Sequence, residues 1–265
     1  MRRMNYYCKV MMNSFKTQYV YKAQVLSKIL FCILSYLIQM YIWKSVNSAS
    51  ETALYNIEYM SGYVLISSMI SVFVAFDMSY IPIVEAKVRS GDIGEELIIP
   101  VNFLVYNFFE YLGKCLFKCM FQVLPLCVIF FLFKVSAKVH LANTGYFLMA
   151  VMFAVSIFFL LNMICGMLSF WLFSIGNLHI IIDSSITLFS GSIIPLWLIP
   201  EKFAFVYEIL PFQYLYYYPI SIILGLVNVQ QMVRVFLYEM IWTACLFALA
   251  VWMYNKGIKK LQIVG

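Results

Sequence analysis

Residues 188–225 read LFSGSIIPLWLIPEKFAFVYEILPFQYLYYYPISIILG, and how this stretch folds decides the architecture of the chain. It is apolar enough for a bilayer, yet Gly191, Pro195, Pro200, Pro211, Pro219 and Gly225 interrupt it. Proline lacks a backbone donor and its ring collides with the preceding turn, so one smooth spanning helix is excluded. Irregular backbone survives at membrane depth only where protein covers it. The pattern predicts a span over 180–199 followed by a folded-back hairpin over 203–227, packed against the rest of the chain.

Composition extends this reading to the whole sequence. Of 265 residues, 64% are hydrophobic and 11% charged, with a mean hydropathy of +0.90. Soluble domains run near a quarter charged, so the expected class is an all-α integral membrane protein, organised as one domain over 1–265. Rings from 24 Phe, 20 Tyr and 5 Trp suit the bilayer interfaces. Length and polarity place six spans at about 25–46, 59–80, 115–134, 146–170, 180–199 and 233–254. The run 212–227, cut by Pro219, is short for a seventh.

The formal charge of +6 is distributed as a topology signal. Basic residues gather at Arg2, Arg3, Lys9, Lys16 and Lys22, at Lys87, Arg89 and Lys114, and at Lys256, Lys259 and Lys260. Six spans put all three groups on the cytoplasmic side with both termini, leaving Lys134, Lys138 and Lys202 outside. The charges flank apolar runs and form no patch with its own fold, so nucleic acid is not an expected partner. The apolar run after residue 24 is too long for a signal-peptide core and lacks a small-residue cleavage site. Within the first 24 residues, Met4, Cys8, Met11, Phe15 and Tyr19 recur at helical spacing, with Asn5, Lys9, Asn13 and Lys16 on another face. That is the pattern of an amphipathic helix lying along the cytoplasmic leaflet. A plain basic flank orienting the first span is the other reading.

The one concentrated charge cluster is Glu85–Phe109, EAKVRSGDIGEELIIPVNFLVYNFF. Gly91 and Gly94 allow tight turns, Asp92 can cap a short helix, and Pro100 ends it. A charged helix presented to the cytoplasm over 85–100 is expected, against the plainer alternative of a solvated connecting loop.

The order S-G-x-x-x-P (190–195), I-P-E (199–201), L-P-F-x-Y (210–214) and P-x-x-x-x-x-G (219–225) resembles the last third of permease subunits of type-2 ATP-binding-cassette exporters. An R-S-G-x-I at 89–93, a following leucine-rich stretch, P-x-N at 100–102 and a terminal N-K-G-I-K-K-L extend the resemblance over nearly the whole chain. It is closest to the six-span branch of about 265 residues. The resemblance implies that the 85–100 element is a coupling helix docking on an ATPase, with Glu85, Lys87, Arg89, Ser90, Gly91, Asp92 and Glu95 as contacts. Here Ile99 precedes Pro100 where many such permeases carry a basic residue, and Gly94-Glu95-Glu96 makes the loop more acidic. The resemblance also implies two ATPase subunits, which bind the ATP and Mg. It implies a second permease copy or a similar chain, surrounding membrane lipids, and a bacterial plasma membrane.

Chemistry within the chain itself is not expected. No G-x-x-x-x-G-K-[ST] phosphate loop occurs. The seven cysteines lie mostly in apolar runs without a CxxC, and His140 and His179 have no second histidine at ligand spacing, so neither a metal site nor a cofactor is expected. His179, Asp183 and Ser184 fall within six residues and imply no oxyanion geometry. Intramembrane charge is costly and often marks pathways. Lys28 and Lys44 can snorkel from the ends of the first span, and Asp77 and Asp183 sit near cytoplasmic ends. Glu239 lies inside the last span, as a structural hydrogen-bonded or interface-facing carboxyl, or as a substrate- or proton-sensitive group. With Pro195, Pro211, Tyr214 and Tyr217 it makes up the candidate pathway or gate residues. The absence of an acidic ladder across the spans argues against a secondary carrier. A non-transporting scaffold or immunity-type protein is the remaining rival.

Overall fold

A computed structural model describes residues 2–49, 56–74, 80–90, 102–132, 139–172 and 175–264. Every regular element among them is helical: α1 (Arg2–Thr17), α2 (Lys22–Ala49), α3 (Ile57–Ile70), α4 (Ile81–Ser90), α5 (Phe103–Lys118), α6 (Leu124–Leu132), α7 (Thr144–Met167), α8 (Leu178–Phe189), α9 (Ala204–Ile209), α10 (Tyr217–Ile223) and α11 (Val229–Val264). Four continuous helical stretches are long and apolar enough to cross a bilayer: Gln24–Ser48, Phe103–Leu132, Leu141–Phe170 and Val229–Lys260. The chain is therefore an integral membrane protein of helical class.

The boundaries correct four of the six expected spans, and the second, expected to run to 80, ends as a helix at Ile70. The third begins at Phe103 rather than 115, because Asn102 caps it by accepting from the backbone N–H of Leu104 and Val105, at 3.0 and 3.3 Å. It continues into α6 through a π turn at Cys119–Val123, where Leu124 donates to Cys119 five residues back. Pro125 lies in the next turn, and the wider turn takes up the strain its ring places on the helix. The last span is longer than expected at both ends.

The fifth stops at Phe189, ten residues short of the expectation. Gly191 has φ +83°, a left-handed conformation that ends the helix, and a Cβ there would lie 2.8 Å from the Tyr63 hydroxyl. The chain after α8 instead docks on α3. Tyr63 donates to the Gly191 carbonyl, and Ser67 Oγ donates to the Ser192 carbonyl at 2.6 Å.

Helix α7 is the centre of the bundle. Ile157, Phe158, Phe159 and Met163 are buried on it, and it packs against α4, α10 and α11. By contrast α2 buries only Cys32, Tyr36 and Met40, four residues apart along one stripe that faces α3 and α6. Helix α1 lies along α5, with Ser14 buried and its hydroxyl donating to Glu110 O at 2.8 Å. The Tyr7–Phe109 and Phe15–Phe117 ring pairs fill the same seam. Met4 and Met12 remain exposed, so this helix carries apolar side chains both toward α5 and away from it.

The bundle has two distinct ends. At one lie α4, the start of α5, the end of α7 and the C-terminal part of α11, joined by the Phe103–Tyr254 ring stack at 4.8 Å. The other holds the 139–143 turn, the broken segment after α8 and the start of α11. The broken segment contains only short helices, as its prolines require, and no seventh element long enough to cross. Its 211–216 stretch is buried throughout, as are Pro219–Leu224. Protein thus covers the irregular backbone, with α7 and α3 supplying the packing surface. His140 N donates to Ile223 O at 2.9 Å and Asn143 Nδ2 to Ile222 O at 2.8 Å, tying down the far side of the hairpin.

Candidate functional site

At the first end, α4 positions four of the seven expected ATPase contacts: Glu85, Lys87, Arg89 and Ser90. Gly91, Asp92 and Glu95 lie outside the described residues. Ile81, Val84 and Val88 recur at helical spacing and are buried, which turns the apolar stripe of α4 inward. Val84 sits directly on Gly166 of α7. A Cβ at Gly166 would meet the Val84 Cβ at 2.7 Å, so the two helices approach as closely as glycine permits.

Polar ties reinforce that seam. Glu85 Oε1 accepts from the backbone N–H of Ile175 at 3.2 Å and pairs with Arg89 at 2.9 Å. The Glu85 side chain is only 16% exposed, whereas that of Arg89 is 47% exposed. Lys87 Nζ donates to the buried Asn107 Oδ1 at 3.5 Å, a long contact linking α4 to α5. Of the charged residues expected to meet an ATPase, Glu85 faces the bundle and Arg89 is the more open to solvent.

Inside the bundle the sequence reading overlooked a polar stripe on α5 and the turn after it. Asn107, Tyr111, Lys114, Lys118 and Gln122 recur every three or four residues, and all are buried or half-buried. Lys118 donates to the Val72 carbonyl at 3.2 Å, Tyr111 to Phe73 O at 2.9 Å, and Tyr216 to Val74 O at 2.9 Å. Three side chains thus serve the carbonyls of the turn at 72–74 that follows α3, where no helical donor reaches them. Lys114 pairs with Glu110 at 2.8 Å and donates to the Tyr80 hydroxyl at 3.1 Å. The spacing of polar residues in an otherwise apolar run was the signal available in the sequence.

At the second end a cavity of about 610 Å³ lies between the α9–α10 segment and the start of α11. Of the expected pathway residues, Tyr214 and Tyr217 line it. Pro195 and Pro211 do not; each is buried at the start of a short 3-10 turn and shapes the backbone instead. Glu239 does not line the cavity either. It is fully buried one turn beyond the lining residue Val235, within electrostatic reach of Tyr214. Neither of its carboxylate oxygens has a hydrogen-bond partner among the described residues. Among the described residues no group of three or more His, Cys, Asp and Glu could hold a metal ion.

Long apolar helices, covered broken backbone and a short charged helix fastened to the bundle define a polytopic membrane component of the transport type. The chain belongs to the ABC-2 transporter family: the model of the ABC-2 family transporter protein matches residues 29–265. It is an ABC transporter permease by family. No curated protein and no solved structure matches it.

Proposed function

We propose that this chain is the six-span permease subunit of an ATP-driven exporter, coupled through α4 to a separate ATPase. The observation that carries the reading is the fastening of α4: to α7 through Val84 on Gly166, to the start of α8 through Glu85 and Ile175, and to α5 through Lys87 and Asn107. A force applied to the exposed side of such a helix reaches three other helices at once. A solvated connecting loop would need none of these ties.

In this reading α3 and α8, with their adjoining segments, complete six crossings, and both termini and α4 face the cytoplasm of a bacterial cell. Two permease chains, identical or similar, assemble with two ATPase subunits that bind ATP and Mg. Arg89, Ser90 and the 91–95 residues meet the ATPase. Glu85 and Lys87 transmit within the permease. ATP drives the shift between inward- and outward-biased arrangements only through its different affinity for the two. The 203–227 segment closes the outer end, where Tyr214, Tyr217 and the buried Glu239 border the exit.

Tagged protein extracted in mild detergent should bring down an ATPase in stoichiometric amount, with vanadate-sensitive turnover. A crosslinked preparation without any nucleotide-binding partner would overturn the assignment in favour of a scaffold or a secondary carrier.

A further inference from the structure

The cavity between α9–α10 and α11 brings together groups that the coupling mechanism does not use. Its walls carry the rings of Tyr214, Tyr218, Tyr238 and Trp242. Two of them are stacked, Tyr214 on Tyr218 with centroids 5.2 Å apart and planes 19° from parallel. Glu208 from α9 and Arg234 from α11 also line it, one anion and one cation from opposite sides. Both residues are exposed, and among the described residues neither forms an ion pair. Charges of opposite sign from two different helices line one cavity without pairing, which leaves each free for a ligand.

We infer that this cavity binds a zwitterion in which a phosphate ester and an ammonium group lie a few bonds apart, the chemistry of a phosphoethanolamine or phosphocholine headgroup. Arg234 presents the planar donor fork that suits phosphate oxygens. The aromatic faces carry the negative quadrupole that attracts an ammonium, and Glu208 adds a full charge to the same end. The wall charges sum to zero, so a ligand of either net sign leaves one of them uncompensated. A volume of about 610 Å³ falls in the range of small-molecule sites and exceeds what a headgroup alone needs. Ile209 and Leu226, both exposed at the cavity wall, supply apolar surface for the beginning of a hydrocarbon chain.

The inference rests on the proposed function only in placing the cavity on the substrate's path. Binding itself needs no ATPase, so its failure leaves the coupling assignment standing, and loss of ATPase co-purification leaves the binding standing. The test is native mass spectrometry of the full chain in detergent, delipidated and then offered equal amounts of phosphatidylethanolamine and phosphatidylglycerol. The expected result is retention of phosphatidylethanolamine about ten-fold over phosphatidylglycerol, the scale of one charge-assisted contact. That preference should fall to near unity in Glu208→Gln, which removes the charge facing the ammonium. Arg234→Gln should instead lower retention of both lipids several-fold, since both carry the phosphate. Each change alters an exposed side chain. Free glycerophosphoethanolamine, a phosphodiester with no net charge, is added as a competitor. Displacement assigns the site to the soluble zwitterion, and absence of displacement assigns it to the lipid. Equal retention of the two lipids by the unaltered chain, an unchanged preference in Glu208→Gln, or unchanged retention of both lipids in Arg234→Gln overturns the inference.

Discussion

Glu85 of α4 accepts a hydrogen bond from the backbone N–H of Ile175 while pairing with Arg89 one turn along its own helix. One carboxylate thereby joins the short helix to the start of α8, ninety residues away in sequence. The backbone N–H of Ile175 has a charged acceptor, and such bonds contribute about 1.5–3 kcal/mol in typical cases. Arg89 is largely exposed, so its share of the pair is worth less.

The two residues should therefore fail differently. Glu85→Ala is expected to lower the melting temperature in detergent and to cut transport-linked ATP hydrolysis, because the tie between α4 and α8 is lost. Arg89→Gln is expected to leave the melting temperature nearly unchanged while lowering ATPase co-purification several-fold. Thermal melting followed beside a pull-down separates the two outcomes. Equal losses of stability for both would show that Arg89 has a structural role and no partner.

Gly166 and Val84 provide a second test of the same seam. A methyl group at position 166 would lie 2.7 Å from the Val84 Cβ, inside any real contact distance. Gly166→Ala is expected to destabilise by about 1–3 kcal/mol through overpacking. Adding Val84→Ala should recover only part of that loss, since it removes the two γ-methyls at 3.1 and 3.2 Å but leaves the Val84 Cβ in place. Denaturation of both single variants and the double variant yields the coupling between the sites. Additive losses would mean that α4 and α7 do not touch here.

Much of this fold could be read from the chain, for identifiable reasons. Continuous apolar runs announced the α2, α7 and α11 spans, since nothing but length and hydropathy was needed. The prolines of 195–219 announced broken, covered backbone, because proline acts locally. The end of α8 at Phe189 was harder to foresee. It depends on Gly191 meeting Tyr63, a contact across 128 residues that no local pattern encodes. Likewise Glu85, Lys87 and Arg89 were legible as a charged cluster. That Glu85 turns toward Ile175 could not be known from α4 alone, whose charged residues lie on neighbouring faces. Pro195 and Pro211 were singled out with Tyr214 and Tyr217, but only the two tyrosines border the cavity.

Glu239 is buried beside Tyr214 with both carboxylate oxygens unpartnered. A buried polar group without a hydrogen bond costs about 1–3 kcal/mol. Glu239→Met, similar in volume and free of that cost, is expected to raise the melting temperature. If the carboxyl serves transport, the same variant should lose activity while gaining stability. Glu239→Gln retains shape and polarity but not the ionisable proton. Unchanged transport in rate and pH dependence for Gln would remove any proton role. A fall in stability for Met would show instead that the carboxyl has a structural partner.

The carbonyls of the turn just after α3 offer the sharpest measurement of what holds the middle of the bundle together. Val72, Phe73 and Val74 receive donors from Lys118, Tyr111 and Tyr216 respectively, so α3 ends inside the protein without leaving those carbonyls unserved. Tyr111→Phe and Tyr216→Phe each remove one hydroxyl and almost no volume. Each orphaned carbonyl should cost about 1–3 kcal/mol. Lys118→Met behaves differently, because it also relieves the desolvation of a buried ammonium. Its net effect should be smaller than either phenylalanine change, despite the loss of a charged donor. Melting curves of the three single variants under one detergent condition rank them directly. A loss at Lys118→Met exceeding both tyrosine variants would mean that the lysine's charge, and not its role as a donor to Val72, is what the fold requires.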